Sequence, residues 1–162
     1  MNDATKRSCA TLEKALSQSP AFQKVDKNFY VVRQGSAYVY IMVMDWGEDR
    51  SVLRLVAQLV RGVDLSPDLA MKLLRLNARM RFGAFGFVRD GACVTFSHTL
   101  LGGDALRRDE LLAALRDVAL VADEYDDLIM AEAGGQTMQQ LLEQSALSSL
   151  RDHLEHRGWG DA

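Results

Sequence analysis

Apolar positions along the chain change period several times, and each change marks an element. From Asp3 to Ser17, Cys9, Leu12, Ala15 and Leu16 recur at helical spacing, and Ser19-Pro20 then stops the helix. Phe29-Tyr30-Val31-Val32 and Tyr38 to Met44 are instead rich in β-branched and aromatic residues, and Gly35-Ser36 between them suits a two-residue hairpin turn. Ser51 to Arg61 alternates, with Leu53, Leu55, Ala57 and Leu59 on one side and Arg54 and Gln58 among Val52, Val56 and Val60 on the other. Ser66-Pro67 caps and starts a helix running to about Arg81. Phe85 to Val88 and Ala92 to Thr99 flank Asp90-Gly91, a second hairpin signal. A long helix from about Arg107 to Ala131 ends at Gly134-Gly135, and Met138 to His156 reads as a last amphipathic helix.

The order is therefore α-β-β-β-α-β-β-α plus a C-terminal helix. It predicts an α+β domain whose antiparallel sheet of about five strands carries helices on one side. Two stretches carry more apolar surface than one core needs. In the helix from Pro67, Leu69, Leu73, Leu76 and Met80 can face the sheet, which leaves Met71, Leu74 and Ala78 as a second stripe and a candidate homodimer seam; a wide core-facing arc is the competing reading. On the sheet, Val52, Val56 and Val60 are a candidate partner surface, with edge-strand addition of a client as one mode. Coverage of that face by Met138, Leu141, Leu142, Leu147, Leu150 and Leu154 is the other reading, and in one version the last helix is a movable lid.

Composition narrows the classes. With 162 residues the chain is long enough to bury a core without metals or disulfides. Its net charge of −3 provides no general field for a nucleic acid backbone, and none is expected as a partner. Tyr38 to Met44, the longest apolar run, is too short to span a bilayer, and the N-terminal stretch reads as an amphipathic helix, not a secretory leader. Cys9 and Cys93 form no disulfide framework. A cytoplasmic location is expected.

Chemistry-bearing residues do not converge. His98 falls on the apolar side of its strand and Cys93 on the opposite one, so no Cys–His dyad forms there. His153 and His156 are three apart on a helix but lack a placed third ligand, so no metal is expected. No glycine cluster has the form of a phosphate loop, and no cofactor is expected. The acidic run Asp123-Glu124-Tyr125-Asp126-Asp127 reads first as a solvated helix face; Asp123, Asp126 and Asp127 are also candidates for docking a basic partner segment.

The phrase Leu73-Leu74-Arg75-Leu76-Asn77, then Phe82-Gly83-Ala84-Phe85-Gly86, then Asp90-Gly91, continuing from Leu111 into Val121-Ala122-Asp123-Glu124-Tyr125, resembles the YbjN family, which shares its fold with the class I chaperones of type III secretion. The resemblance divides the chain into a domain at 1–135 and a C-terminal helix and tail at 136–162, part of that domain or a movable appendage. It implies a non-enzymatic, often dimeric module, chaperone-like or adaptor, that holds an extended segment of a protein client on an apolar surface. A regulatory or sensory domain signalling through its C-terminal helix is the alternative, and an enzyme with an unfamiliar site the third.

Overall fold

The computed structural model describes residues 1–146; Leu147, Leu150, Leu154, His153 and His156 lie outside the described residues. Helix α1 (Asp3–Leu16) starts where the Asn2 side chain accepts the Thr5 amide at 2.8 Å, and it buries Cys9, Leu12 and Leu16. Four strands follow: β1 (Phe22–Asp26), β2 (Phe29–Gln34), β3 (Ala37–Asp45) and β4 (Ser51–Arg61). Then come α2 (Pro67–Asn77), β5 (Ala84–Val88), β6 (Cys93–Leu101), a short 3-10 turn at Gly103–Ala105, α3 (Arg108–Ala133) and β7 (Gln136–Thr137). Residues 138–146 are helical, here α4.

The strands form one antiparallel sheet in the order β1-β2-β3-β4-β6-β5, and β7 pairs with β4 beyond the start of β3. The fold is α+β with α1, α2 and α3 on one side, as the order of elements predicts. Registered rows on that inner face run Tyr30–Ile41–Leu55–His98 and Val32–Val39–Ala57–Phe96–Phe85. Leu12 from α1, Leu69 and Leu73 from α2, and Leu111, Val118 and Ile129 from α3 close over them into one core.

Among the described residues, seven strands stand where about five were expected. Strand β1 has the sequence Phe-Gln-Lys-Val-Asp and is exposed beyond its first residue, so no burial pattern betrays it; pairing with β2 alone defines it. Strand β7 is two residues long and pairs Thr137 with Val60. The third difference lies inside β4. Its register with β6 shifts between Gln58 and Val60, so Val60 faces Val94 on the inner side and is only 1% exposed. A bulge adds one residue and reverses the alternation after it. Val60 therefore belongs to the core, not to the face of Val52 and Val56.

Helix α2 ends at Asn77, one turn before the expected Arg81, because Asn77 is recruited elsewhere. Its side-chain amide donates to the Phe85 carbonyl at 3.1 Å and accepts from the Phe85 amide at 2.7 Å. Gly83, at φ +74°, then lets the chain pass over β6, since a Cβ there would lie 2.5 Å from the Ser97 carbonyl oxygen. Asn77 and Gly83 both fall within the phrase that carries the family resemblance, and both act on the placement of β5.

Candidate functional site

The sheet's outer face is left alone by α1, α2 and α3, and it is not the polar face that a one-sided sheet ordinarily presents. Its rows are Phe29–Met42–Arg54–Thr99, Val31–Tyr40–Val56–Ser97 and Met44–Val52–Leu101. Met42 is 41% exposed and Leu101 57%, while Val52 and Val56 are half-buried between them. Phe29 and Tyr40 stack at 5.9 Å between ring centroids. Trp46, in the β3–β4 turn at the same end of the sheet, is exposed and carries the Arg50 guanidinium 4.2 Å above its ring. Arg54 is the single charged side chain in the three rows. Aromatic, methionine and valine side chains on a twisted sheet form a shape-tolerant apolar surface.

The two sheet edges are each blunted. Edge strand β1 carries Lys24 and Asp26 and has a register irregularity between them. Edge strand β5 has no charge, but its outward-pointing amide and carbonyl at Phe85 are occupied by Asn77. Main-chain pairing of a client along β5 would have to displace that side chain. The outer face, by contrast, presents the Met42, Val52 and Leu101 end of its rows without a bond to break, while Tyr40 is engaged by Met138.

On α2, Met71 is 48% exposed, Leu74 63%, and Ala78 is exposed at the C-cap. Leu74 continues into a shallow groove with Ala70, Phe85 and Phe87, so the apolar stripe runs from the helix onto the edge strand. Met71 borders a second groove with Lys72, Arg75 and Arg79. The sheet lies between this surface and the Val52–Val56 face, so the two are separate sites.

The acidic run is divided by its surroundings. The Asp123 carboxylate accepts a hydrogen bond from the Ser36 hydroxyl and so fastens the β2–β3 turn to α3. Asp126 is half-buried; burial above all pushes its carboxyl above the usual carboxylate range, against the hydrogen bond it accepts from the Asp127 amide and with a smaller push from the Asp127 and Asp123 charges. Asp127 is exposed. These residues sit on the helix side, with the sheet between them and Val52 and Val56.

His98 stands on the inner face opposite Leu55, with Phe82 edge-on at 5.5 Å. Cys93 stands on the outer side and is buried, which pushes its thiol up, against a smaller opposing pull from Arg61. No group of three or more His, Cys, Asp or Glu placed to hold a metal occurs among the described residues. No helix among them is long and apolar enough to cross a membrane.

Sequence reasoning missed Asn77 and the methionines of the outer face. The signal was available: Tyr38, Tyr40, Met42 and Met44 alternate with Val39, Ile41 and Val43, so β3 is apolar on both faces.

Residues 5–141 match the family model described as T3SS (YopN, CesT) and YbjN peptide-binding chaperone 1. No curated protein matches the chain. Among solved structures, a chain of the crystal structure of the ExsC-ExsE complex superimposes with a TM-score of 0.60 at 18% identity, over 80% of this chain and 97% of that one. At that identity the likeness is one of fold.

Proposed function

The chain belongs to the family of T3SS (YopN, CesT) and YbjN peptide-binding chaperones, and from that premise we propose that it holds an extended segment of a client protein against the outer face of its sheet. The observation that carries the proposal is the apolar face itself, in register across β2, β3, β4 and β6 and left bare by α1, α2 and α3. Successive rows of a sheet are two residues apart, about 6.6 Å, which is also the distance between same-side side chains of an extended peptide. A client lying along the strands therefore places every second side chain against one row. Val52, Val56 and Met42 form the centre of that contact, and its free energy comes from apolar area removed from water, about 25 cal/mol per Å². Backbone pairing is secondary, because both edges are blunted.

A homodimer is the proposed working form, with Met71, Leu74 and Ala78 of α2 at the seam and Phe87 extending it. The exposure of Met71 and Leu74 supports this reading, because a monomer gains nothing by leaving two such side chains in water. Asp126 and Asp127 would meet a basic stretch of a client that reaches round to the helix side. Asp123 takes less part, being engaged by Ser36. The activity is non-enzymatic and its place the cytoplasm.

The test is site-specific photo-crosslinking in the native cell. A photoreactive residue at Val56 is expected to trap a restricted set of proteins that one at the exposed Lys14 on α1 does not, and Met42→Glu should suppress the capture. Equal capture from Val56 and Lys14 would remove the outer face from consideration.

A further inference from the structure

The outer face is not uniformly open, and the difference lies along its length. At one end Met42 and Leu101 are 41% and 57% exposed. Toward the other end Cys93 and Thr95, both on the outer side of β6, are 4% and 7% exposed although α1, α2 and α3 all lie on the other side. Tyr40 belongs to this closed end. Burial first, and the nearby Cys93 second, pushes its hydroxyl up, and that hydroxyl donates to the Met138 sulfur at 3.7 Å.

The chain reaches this corner by a built route. Gly134 and Gly135, at φ +70° and +85°, turn it sharply after α3; at Gly135 a Cβ would lie 2.5 Å from the Arg61 carbonyl oxygen. Strand β7 then fills the position beside β4 that β3 does not reach. Next Thr137 and Gln140 form a reciprocal cap. The Gln140 side chain accepts the Thr137 amide at 3.0 Å, and the Thr137 hydroxyl accepts the Gln140 amide at 3.3 Å. The start of α4 is thereby fixed within reach of Tyr40, with Met138 and Leu141 half-buried and residues 142–146 exposed. The family match stops at 141, inside this helix.

We propose that α4 is a built-in cover for the Tyr40–Cys93 end of the outer face, a separable segment that occupies part of the client surface and is displaced when a client takes it. Among the described residues its attachment is a two-residue strand, one reciprocal cap, the half-buried Met138 and Leu141, and one weak hydrogen bond to sulfur. Such a segment opens locally far more readily than the core unfolds. The tether compensates, since a covalently linked segment acts at millimolar effective concentration and so excludes weak, non-client peptides without any added contact. Clients must then supply enough apolar burial to displace it.

The inference rests on the outer face being the client surface, but its test needs no client. The full chain is exposed to iodoacetamide and the modification of its two cysteines is followed separately by peptide mass spectrometry. Cys93 reports the cover, and Cys9, on the buried face of α1, reports global unfolding. Met138→Asp is expected to raise the Cys93 rate roughly tenfold, the factor for 1.4 kcal/mol of weakened docking, with Cys9 unchanged. Leu142→Asp, at a position already 43% exposed, should leave both rates where they were. An unaltered Cys93 rate in Met138→Asp overturns the proposal. So does a parallel rise at Cys9, because α4 would then be part of the cooperative body. Either failure leaves the crosslinking result at Val56 standing, whereas failure at Val56 leaves α4 over Cys93 but removes its displacement by a client.

Discussion

Leu55 and Val56 are neighbours on β4 and differ by one methylene. Leu55 sits between Ile41 and His98 on the inner face, and its relative exposure is 0%; Val56 sits between Tyr40 and Ser97 on the outer face and is only half-buried. The same contrast repeats between Val43 and Met42 and between Leu53 and Val52. Apolar character is therefore nearly equal on the two faces; what differs is where the helices land. One face is used within the chain, to hold it folded. The other is left bare by α1, α2 and α3, and α4 meets it at Tyr40.

The comparison is broken most directly on β4. Leu55→Ala should cost about 2–5 kcal/mol, because a buried leucine loses its transfer energy and leaves a cavity, and it is read as a lowered urea midpoint. Val56→Ser should change stability by less than about 1 kcal/mol, yet abolish client crosslinking from a photoreactive residue at Val52. If the two substitutions were equally destabilising, the faces would not be functionally distinct.

The α2 stripe is a third apolar surface and sharpens the contrast. Met71→Glu with Leu74→Glu should halve the mass measured by light scattering while leaving far-ultraviolet circular dichroism and Val56 crosslinking per chain unchanged. A dimer that survives this pair with its fold intact would exclude α2 as the seam.

The smallest effect concerns how the inner face is tied to its helix. Tyr30, buried in the core, donates its hydroxyl to Glu13 at 2.8 Å, and Lys24 donates to the same carboxylate at 2.7 Å. These bonds, Lys24 foremost, hold the Glu13 carboxyl below its ordinary value of 4.5. A carboxyl lowered on folding adds stability above that pH and loses it as pH falls through the folded value. Glu13→Gln should accordingly lower Tm slightly at pH 7, and the gap from the parent chain should shrink by pH 3. A gap independent of pH would mean that the pair adds no charge-linked stability.

Much of the fold was legible because period, caps and turn residues are local. The helix starting at Ser66-Pro67, the Gly35-Ser36 turn, the Asp90-Gly91 hairpin and the long helix ending at Gly134 all appear where the pattern put them, and the Ser66 side chain accepts the Leu69 amide as its residue type suggests. Strand β1 was not legible, since an edge strand facing water on both sides has no hydrophobic period to read. Asn77 was not legible either. An asparagine near a helix end normally reads as a stop signal, and nothing local says that its amide will occupy the edge of a strand eight residues later.

Of the candidate site, Val52 and Val56 could be placed by alternation, and Met71 and Leu74 by the surplus on α2. Val60 could not, because a bulge is a relation between two strands: only pairing with β6 shows that one residue has been inserted and the side chain turned inward. The acidic run shows the same boundary, since Asp123 meets Ser36 across 87 positions of sequence. The order of the amino acids decided which segments are helical or extended and how much apolar surface they carry together. Tertiary structure decided how that surface is shared between interior and exterior, because burial depends on which segments meet, and meeting is set by pairing and packing over distances that no local period spans.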